Sequence, residues 1–414
     1  MKDCLNVQLN GVPVGAVVRR VDGRVVFEFS DSYLNNPNRS ILSQSFVGVA
    51  GGVRNRERAS SSGQVPSFFS NLLPEGQLLN YLANAAGVRE TQEFELLEFL
   101  GADLPGAVVV SREDERSERP IQPSADVSDS DDLRFSLAGV QLKLSALVKQ
   151  GRRLTIPAQG LGGDWIVKLP SAAYARMPEN EYSVMMMASR VGIAIPETYL
   201  VPVGEIEGLP REFADIRQSN AIAIRRFDRG LGRRIHAEDF AQAFGQRPID
   251  KYNPQLNYTD VTQLVAHVCG ENDAIDVSKR LMFSAIVGNG DMHLKNWSFI
   301  YPDGRKPELS PAYDFLCTTV YLPEDDLALK LGSARHWKNL TLDDFNAVAD
   351  GAGLDRDSFV NAAVETVLKF REGWDDCAKS LEVDQALKHS IERQMRTCPA
   401  IVSVLEQTSQ IAKR

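Results

Sequence analysis

A chain of 414 residues has room for two or three compact units, and 43% hydrophobic with 24% charged residues is the balance of an ordinary globular protein, not a disordered or fibrous one. The formal net charge of −9 argues against a primary nucleic-acid binder, so any association with DNA is expected to come through a partner. The opening MKDCLNVQLNG has no signal-like apolar run, and no stretch approaches the ~20 apolar residues of a membrane span, so a cytoplasmic protein with no membrane partner is expected.

In chain order, Leu5 to Leu9, Val12 to Val18 and Val25 to Phe29 alternate apolar and polar residues around the turns Asn10-Gly11 and Asp22-Gly23, which reads as an antiparallel meander. Helical segments are expected over Phe68 to Ala86, with Pro74 at a start or kink, and over Glu93 to Leu100. A strand at Ala107 to Val110 closes this first region. Residues 111–132 carry many charges and almost no large apolar side chains, the mark of a surface linker or mobile loop. Strands follow at Lys143 to Lys149, Arg152 to Ile156 and Trp165 to Leu169, then a helix from Glu179 to Val191 and strands at Glu197 to Val203 and Ala221 to Phe227. After Arg229 helical periodicity dominates: His236 to Phe244, Thr259 to Val268, Val277 to Val287, and Leu342 to the end. One β-like insertion interrupts it, from Trp297 through the turn Pro302-Asp303-Gly304 to Asp314. The expected domains are 1–110, a linker at 111–134, a β-rich part at 135–229 and a helical part at 230–414.

Five cysteines (Cys4, Cys269, Cys317, Cys377, Cys398) stand far apart with no CxxC or Cys/His pairing, so reduced thiols are expected. The chemically informative segment is Gly288-Asn289-Gly290-Asp291-Met292-His293-Leu294-Lys295-Asn296. Phosphoryl transfer to a hydroxyl needs a carboxylate to take or orient the proton and an oxygen ligand nearby to hold magnesium on the phosphates, and an Asp-x-x-x-x-Asn loop offers both. Asp314 supplies the second carboxylate if the intervening strand, turn and strand fold it back. Singly, Asp291 could be a turn residue and Asp314 a cap. Lys168 inside the apolar strand Trp165-Ile166-Val167-Lys168-Leu169, and Glu181 on the next helix, shift the balance. Strand lysine, helix glutamate, hinge (Arg226-Phe227-Asp228-Arg229), Asp291, Asn296 and Asp314 follow the chain order of protein kinases. The glycine-rich loop, His-Arg-Asp and Asp-Phe-Gly sequences of eukaryotic kinases are absent.

Ser136-Leu137-Ala138-Gly139-Val140-Gln141-Leu142-Lys143, Val167-Lys168-Leu169-Pro170, Asn180-Glu181, the Arg226 to Arg229 stretch, the Asn289 to Asn296 octet and Pro311-Ala312-Tyr313-Asp314 resemble the motifs of HipA kinases, the toxin half of HipA/HipB toxin–antitoxin pairs. Phe68 to Gly76 and Gly101 to Ala107 extend the likeness through the N-terminal region. The resemblance implies an α+β, bilobed protein-kinase-like fold with a mixed β-rich N-lobe and an all-helical C-lobe. It also implies ATP and Mg2+ as cofactors. ATP would be bound by Val140, Lys168, Arg226, Phe227, Asp228, His293 and Tyr313, and metal by Asn296 and Asp314. Asp291 would be the base, Glu181 would pair in a structural ion pair, and Ser136 would be an inactivating autophosphorylation site. A HipB-like helix-turn-helix antitoxin, operator DNA reached through it, and a protein substrate such as an aminoacyl-tRNA synthetase, the glutamyl enzyme for example, are the implied partners. Arg225 stands where an acidic residue is expected. A small-molecule kinase of related fold and a non-catalytic repressor subunit are the competing readings.

Overall fold

The computed structural model describes residues 3–48, 52–54, 63–112, 143–149, 153–155, 163–209, 216–230 and 232–411. Most of the expected linker and the segment holding Ser136 and Val140 lie outside them. The chain divides into two compact units, one made of Met1–Arg176, Leu200–Pro248 and Tyr301–Arg305, the other of Met177–Tyr199, Ile249–Ile300 and Lys306–Arg414.

The first unit begins with a four-stranded sheet built from β1 (Asp3–Leu9), β2 (Val12–Arg19), β3 (Val25–Phe29) and β4 (Val108–Ser111), in the order β3-β2-β1-β4. Asn10 and Gly11 both take positive φ, 51° and 77°, the twist-matched turn that an Asn-Gly pair supports. Short helices α1 (Asp31–Leu34) and α2 (Ser67–Ser70) and longer ones α3 (Gly76–Ala86) and α4 (Glu93–Leu100) complete this region. The helix expected over Phe68 to Ala86 is therefore two. Pro74 offers no N–H and pushes Leu73 out of helical geometry, and the Asn71 amide ends the first piece by donating to Ser67 O at 2.9 Å. Phe27, Phe46, Phe68 and Phe69 form the aromatic centre of the core, with Phe68 and Phe69 edge-on at 5.1 Å.

The same unit holds a second sheet, β6-β5-β7-β9-β8, from β5 (Lys143–Lys149), β6 (Arg153–Thr155), β7 (Trp165–Lys168), β8 (Thr198–Pro202) and β9 (Asn220–Arg225). Its central strand carries Lys168. A small hairpin follows, β10 (Arg229–Gly230) with β11 (Arg233–Arg234). The segment expected to be helical from His236 is instead strand β12 (His236–Asp239) and then a four-residue helix, α6 (Phe240–Ala243). Asp239 explains the switch, because its carboxylate caps Gln242 N at 2.8 Å and the Gln242 side chain returns the bond to Asp239 N at 2.8 Å.

The second unit is mainly helical. It contains α5 (Met177–Arg190), α7 (Tyr258–Val268), α8 (Glu271–Val287) and the hairpin β13 (Ser298–Tyr301) with β14 (Glu308–Leu309). Four further helices end the chain: α9 (Leu342–Ala352), α10 (Arg356–Ser380), α11 (Gln385–Thr397) and α12 (Pro399–Ile411). Asp355 and Asp384 cap α10 and α11 by accepting from Ser358 N and Leu387 N, each at 2.8 Å, which is why the run from Leu342 breaks where it does. Phe283, Phe315, Phe370 and Trp374 make the core of this unit. All five cysteines are free thiols, and among the described residues no helix is long and apolar enough to cross a membrane.

Inside the first unit lies a polar cluster. Glu238 is wholly buried and accepts from Gln44 N at 2.9 Å and from the Tyr301 hydroxyl. His236, also wholly buried, donates Nε2–H to Leu42 O at 2.9 Å and stacks on Tyr301 at 5.2 Å. Burial pushes the Glu238 carboxyl up to about 7 and the His236 imidazole down to about 4. Folded Glu238 holds its proton more tightly than the unfolded chain does, so its contribution to stability is lost as pH rises from 4.5 toward about 7. His236 behaves oppositely, its contribution being lost as pH falls from 6.5 toward about 4. The two slopes oppose each other where the windows overlap. Glu238→Gln removes the first, so the melting temperature of that variant is expected to fall more steeply than that of the wild type on acidification below pH 6.5. Equal slopes in thermal scans would show that Glu238 is ionised in the folded state.

Candidate active site

Helix α8 ends at Gly288, whose φ of 66° turns the chain sharply into the Asn289 to Asn296 loop. Asn289 Oδ1 accepts Asp291 N at 3.2 Å, and the Asp291 carbonyl then receives two donors, His293 N at 2.8 Å and Asn296 Nδ2 at 2.6 Å. Because the Asn296 amide nitrogen is used on that carbonyl, its oxygen is the atom left for a cation. Asp291 itself keeps a partly exposed carboxylate. Its Oδ1 accepts from the Tyr252 hydroxyl, and His293 Nε2 lies 3.8 Å from the same oxygen. The His293 ring is buried and sits edge-on to Tyr252.

Asp314 comes back toward this loop by the expected strand, turn and strand. Phe299 pairs with Leu309, Ser310 N donates to Ser298 O at 2.9 Å, and the Tyr313 hydroxyl donates to Lys295 O at 3.0 Å and lies 2.5 Å from Ser298 Oγ. The hydroxyl of Tyr313, a predicted ATP contact, thus ties the Asp314 segment to the residue before Asn296. Asp314 adopts φ 56°, a left-handed conformation that costs a non-glycine residue about 1–3 kcal/mol and persists only where neighbours enforce it. Phe315, wholly buried against Phe283, is one such neighbour.

Asn180 is another. From α5 its Oδ1 accepts Cys317 N and its Nδ2 donates to Cys317 O, both at 3.0 Å, a two-way clamp on the backbone just beyond Asp314. Thr318 closes the circuit, since its Oγ1 accepts Gly290 N at 2.9 Å and bonds Asp325. A Cβ on Gly290 would meet Asp325 Oδ2 at 2.3 Å, so only glycine fits. Burial raises the Asp325 carboxyl above its usual range, with the charge of Asp291 adding to the effect. The residue pattern flagged Asn180 only as part of a motif and gave no role to Thr318 or Tyr252. A lone Tyr in Lys251-Tyr252-Asn253-Pro254 carries no periodic or spacing signal.

In the first unit, Lys168 is buried to 4% exposure on the central strand, paired with Lys143 on one side and Ile222 on the other. Glu181, in the second unit, is buried on α5 to 1%. Phe227 is half-buried after β9, and Arg225 is exposed. The side chains of Asp228 and Arg226, both expected at the nucleotide, are committed to each other. Arg226 grips Asp228 through Nε to Oδ1 at 2.9 Å and Nη2 to Oδ2 at 2.8 Å. Asp228 Oδ2 also accepts Arg229 Nη1 and Gly106 N, each at 2.8 Å, while Arg229 reaches Asp103 at 2.9 Å. Burial works to raise the Asp228 carboxyl, but the Arg226 bonds and charge, with Arg229 and the Gly106 N–H, outweigh it and hold the group below the usual aspartate range. Gly106 can approach because it has no Cβ, which at φ 70° would lie 2.8 Å from Ala237 N and O. Asp228→Ala would strand two buried guanidinium groups, and chemical denaturation is expected to show a loss of about 3–5 kcal/mol. A loss under about 1 kcal/mol would mean that water takes the place of the carboxylate.

An Asp-x-x-x-x-Asn loop laced to a left-handed aspartate, within an α+β fold of two units, is the arrangement of protein kinases. Family models agree and narrow the class. The description "HipA N-terminal domain" matches residues 5–111 and "HipA-like C-terminal domain" matches residues 135–374. The Sinorhizobium fredii protein named "Putative kinase Y4dM" is 43% identical over 392 residues, covering 94% of this chain and 95% of that one. The "Serine/threonine-protein kinase toxin HipA" of Shewanella oneidensis is 27% identical over 339 residues, 73% of this chain and 74% of that one. The fold matches a chain in the solved Shewanella oneidensis complex of HipA, HipB and operator DNA with a TM-score of 0.72 at 21% identity, over 95% of this chain and 96% of that one. The chain belongs to the HipA family and is a kinase of the serine/threonine type.

Proposed function

We propose that this chain is an ATP- and Mg2+-dependent kinase that phosphorylates a serine or threonine of a protein substrate, as the toxin of a HipA/HipB-type module. The observation that supports the reading is the Asn296 Nδ2 bond to the Asp291 main-chain carbonyl, which ties the proposed base and the proposed metal ligand into one loop and uses the Asn296 nitrogen in doing so. Among the described residues no group of three or more His, Cys, Asp or Glu side chains could hold a metal. Magnesium suits such a site, because it takes one or two protein ligands and completes its shell with phosphate oxygens and water. Asn296 and Asp314 are the residues that would hold it. Bound there, it would neutralise charge on the transferring phosphoryl group.

The chain's own groups do the rest. Asp291 accepts the proton of the acceptor hydroxyl. Lys168, kept from water on its strand, offers a fixed positive charge for the ATP phosphates, a setting in which a buried ammonium is otherwise expensive. Phe227 presents a half-buried ring for the adenine, and Glu181 is the proposed partner of Lys168. His293 stands beside Asp291 and orients it. Val140 would contribute to the phosphate loop. Ser136, in the same loop, would silence the enzyme when phosphorylated, because about −1.5 to −2 charges would then occupy the place of the ATP phosphates.

The acceptor is proposed to be a translation component, an aminoacyl-tRNA synthetase such as the glutamyl enzyme, whose loss arrests growth and promotes persistence. A HipB-like helix-turn-helix antitoxin, tethered to operator DNA, is the proposed partner. Family membership supports both, and the acidic chain, net charge −9, would complement a basic DNA-binding protein.

Asp291→Asn is expected to lower kcat by about 10²–10⁴ with little change in the KM for ATP. Asn296→Ala and Asp314→Ala are expected to raise the magnesium concentration needed for half-maximal rate. Both are read by ADP release from the purified chain, and a variant at Asp291 with wild-type turnover would defeat the assignment. Phosphoproteomics of cells expressing the wild-type chain against Asp291→Ala identifies the acceptor. Phosphate on small metabolites alone, with no protein site differing, would favour a small-molecule kinase.

A further inference from the structure

A general base takes a proton only from a hydroxyl that donates to it at hydrogen-bond distance. One hydroxyl already does so, since the Tyr252 phenol donates to Asp291 Oδ1. Tyr252 is no core residue, because 45% of it is exposed. The segment that carries it is nonetheless fixed to the catalytic loop, with the Lys251 carbonyl accepting Leu294 N at 3.2 Å. Its ring meets the edge of His293 at 4.9 Å and 86°, and His293 Nε2 is itself 3.8 Å from Asp291 Oδ1. Phenol and imidazole therefore face the same carboxylate oxygen, on a side chain 43% open to solvent.

We propose that this face of Asp291, walled by Tyr252 and His293, is the acceptor-hydroxyl subsite, and that Tyr252 occupies it until a serine or threonine hydroxyl displaces the phenol. The proposal rests on Asp291 being the base. In the step that follows, the acceptor oxygen forms its bond to the γ-phosphorus of ATP while the bond from that phosphorus to the β–γ bridging oxygen breaks. ADP leaves with that electron pair, and the acceptor proton passes to Asp291 Oδ1. Water must displace the same phenol to act as acceptor, so the tyrosine also holds back idle hydrolysis of ATP. A protein acceptor is favoured because its contacts elsewhere supply the free energy of displacement.

Tyr252→Phe keeps the ring and removes the donor. ADP release from Mg-ATP alone, and with dephosphorylated casein as the acceptor, is expected to rise roughly three- to tenfold, the worth of one net hydrogen bond. The KM for casein should fall, and the KM for ATP should not follow it. A lower kcat with the casein KM unchanged would overturn the proposal, because the phenol would then be positioning the base. Unchanged rates would overturn it too, as would phosphotyrosine at position 252 after incubation with Mg-ATP. The same assays on Asp291→Asn, alone and combined with Tyr252→Phe, separate the two levels. Turnover that survives Asp291→Asn means that the base assignment has failed, whereas turnover lost there but not raised by Tyr252→Phe means that only the subsite has.

Discussion

A carboxylate withdrawn from water must be met by charge and by donors, and Asp228 is met by Arg226, Arg229 and the Gly106 N–H together. That requirement organises the first unit. Gly106 and Asp103 belong to the N-terminal family region, matched over residues 5–111, while Arg226, Asp228 and Arg229 belong to the kinase region, matched over 135–374. Within the first unit the ion network ties the Gly101 to Ala107 loop to the Arg226 to Arg229 stretch. Leaving any member out would strand a buried charge, so the hinge sequence and the Gly101 to Ala107 loop constrain each other. Arg234, reaching the Ala102 carbonyl at 2.6 Å and Asp103 at 3.2 Å, extends the seam.

In the second unit the same logic appears on a smaller scale, with neutral groups. Polar side-chain atoms are spent on holding the loop. The Asn296 nitrogen is spent on Asp291 O, the Tyr313 hydroxyl on Lys295 O, and the Asn180 amide on both sides of Cys317. The Asn296 oxygen and the carboxylates of Asp291 and Asp314 are the groups proposed above as metal ligands and base. The left-handed backbone at Asp314 is held by these bonds and by the burial of Phe315. Rigid support of this kind is what phosphoryl transfer asks of a protein, since catalysis there is mostly positioning and electrostatics.

Tyr252 adds a competitor to that rigid frame. A base that is already satisfied by an internal hydroxyl has lower free energy at rest, and the difference is recovered only by an acceptor that binds well elsewhere. For an enzyme that acts on another protein, selectivity can therefore sit at the reacting oxygen as well as in a distant docking surface.

Much of this was legible in the residues. Strand alternation and the Asn-Gly turn gave the first hairpin, and the spacing of Asp291 and Asn296, behind Lys168 and Glu181, pointed to phosphoryl transfer. Where the reading erred, long-range partners had outvoted local pattern. His236 to Asp239 reads as helix, but buried acceptors and the Asp239 cap make it a strand. The bonding of Arg226 and Asp228 to each other, and of Asp228 to a loop over a hundred positions away at Gly106, likewise left no local pattern.

What the sequence determined by itself was the order and chemical type of the proposed catalytic groups, because a five-residue spacing within one loop is a local property. Only the tertiary structure decided that the Asn296 nitrogen is spent on the Asp291 carbonyl, and that Tyr252 reaches Asp291. Those outcomes depend on hydrogen-bond donors and acceptors brought together from distant segments, and a pairing that closes through space leaves no period or spacing in the chain.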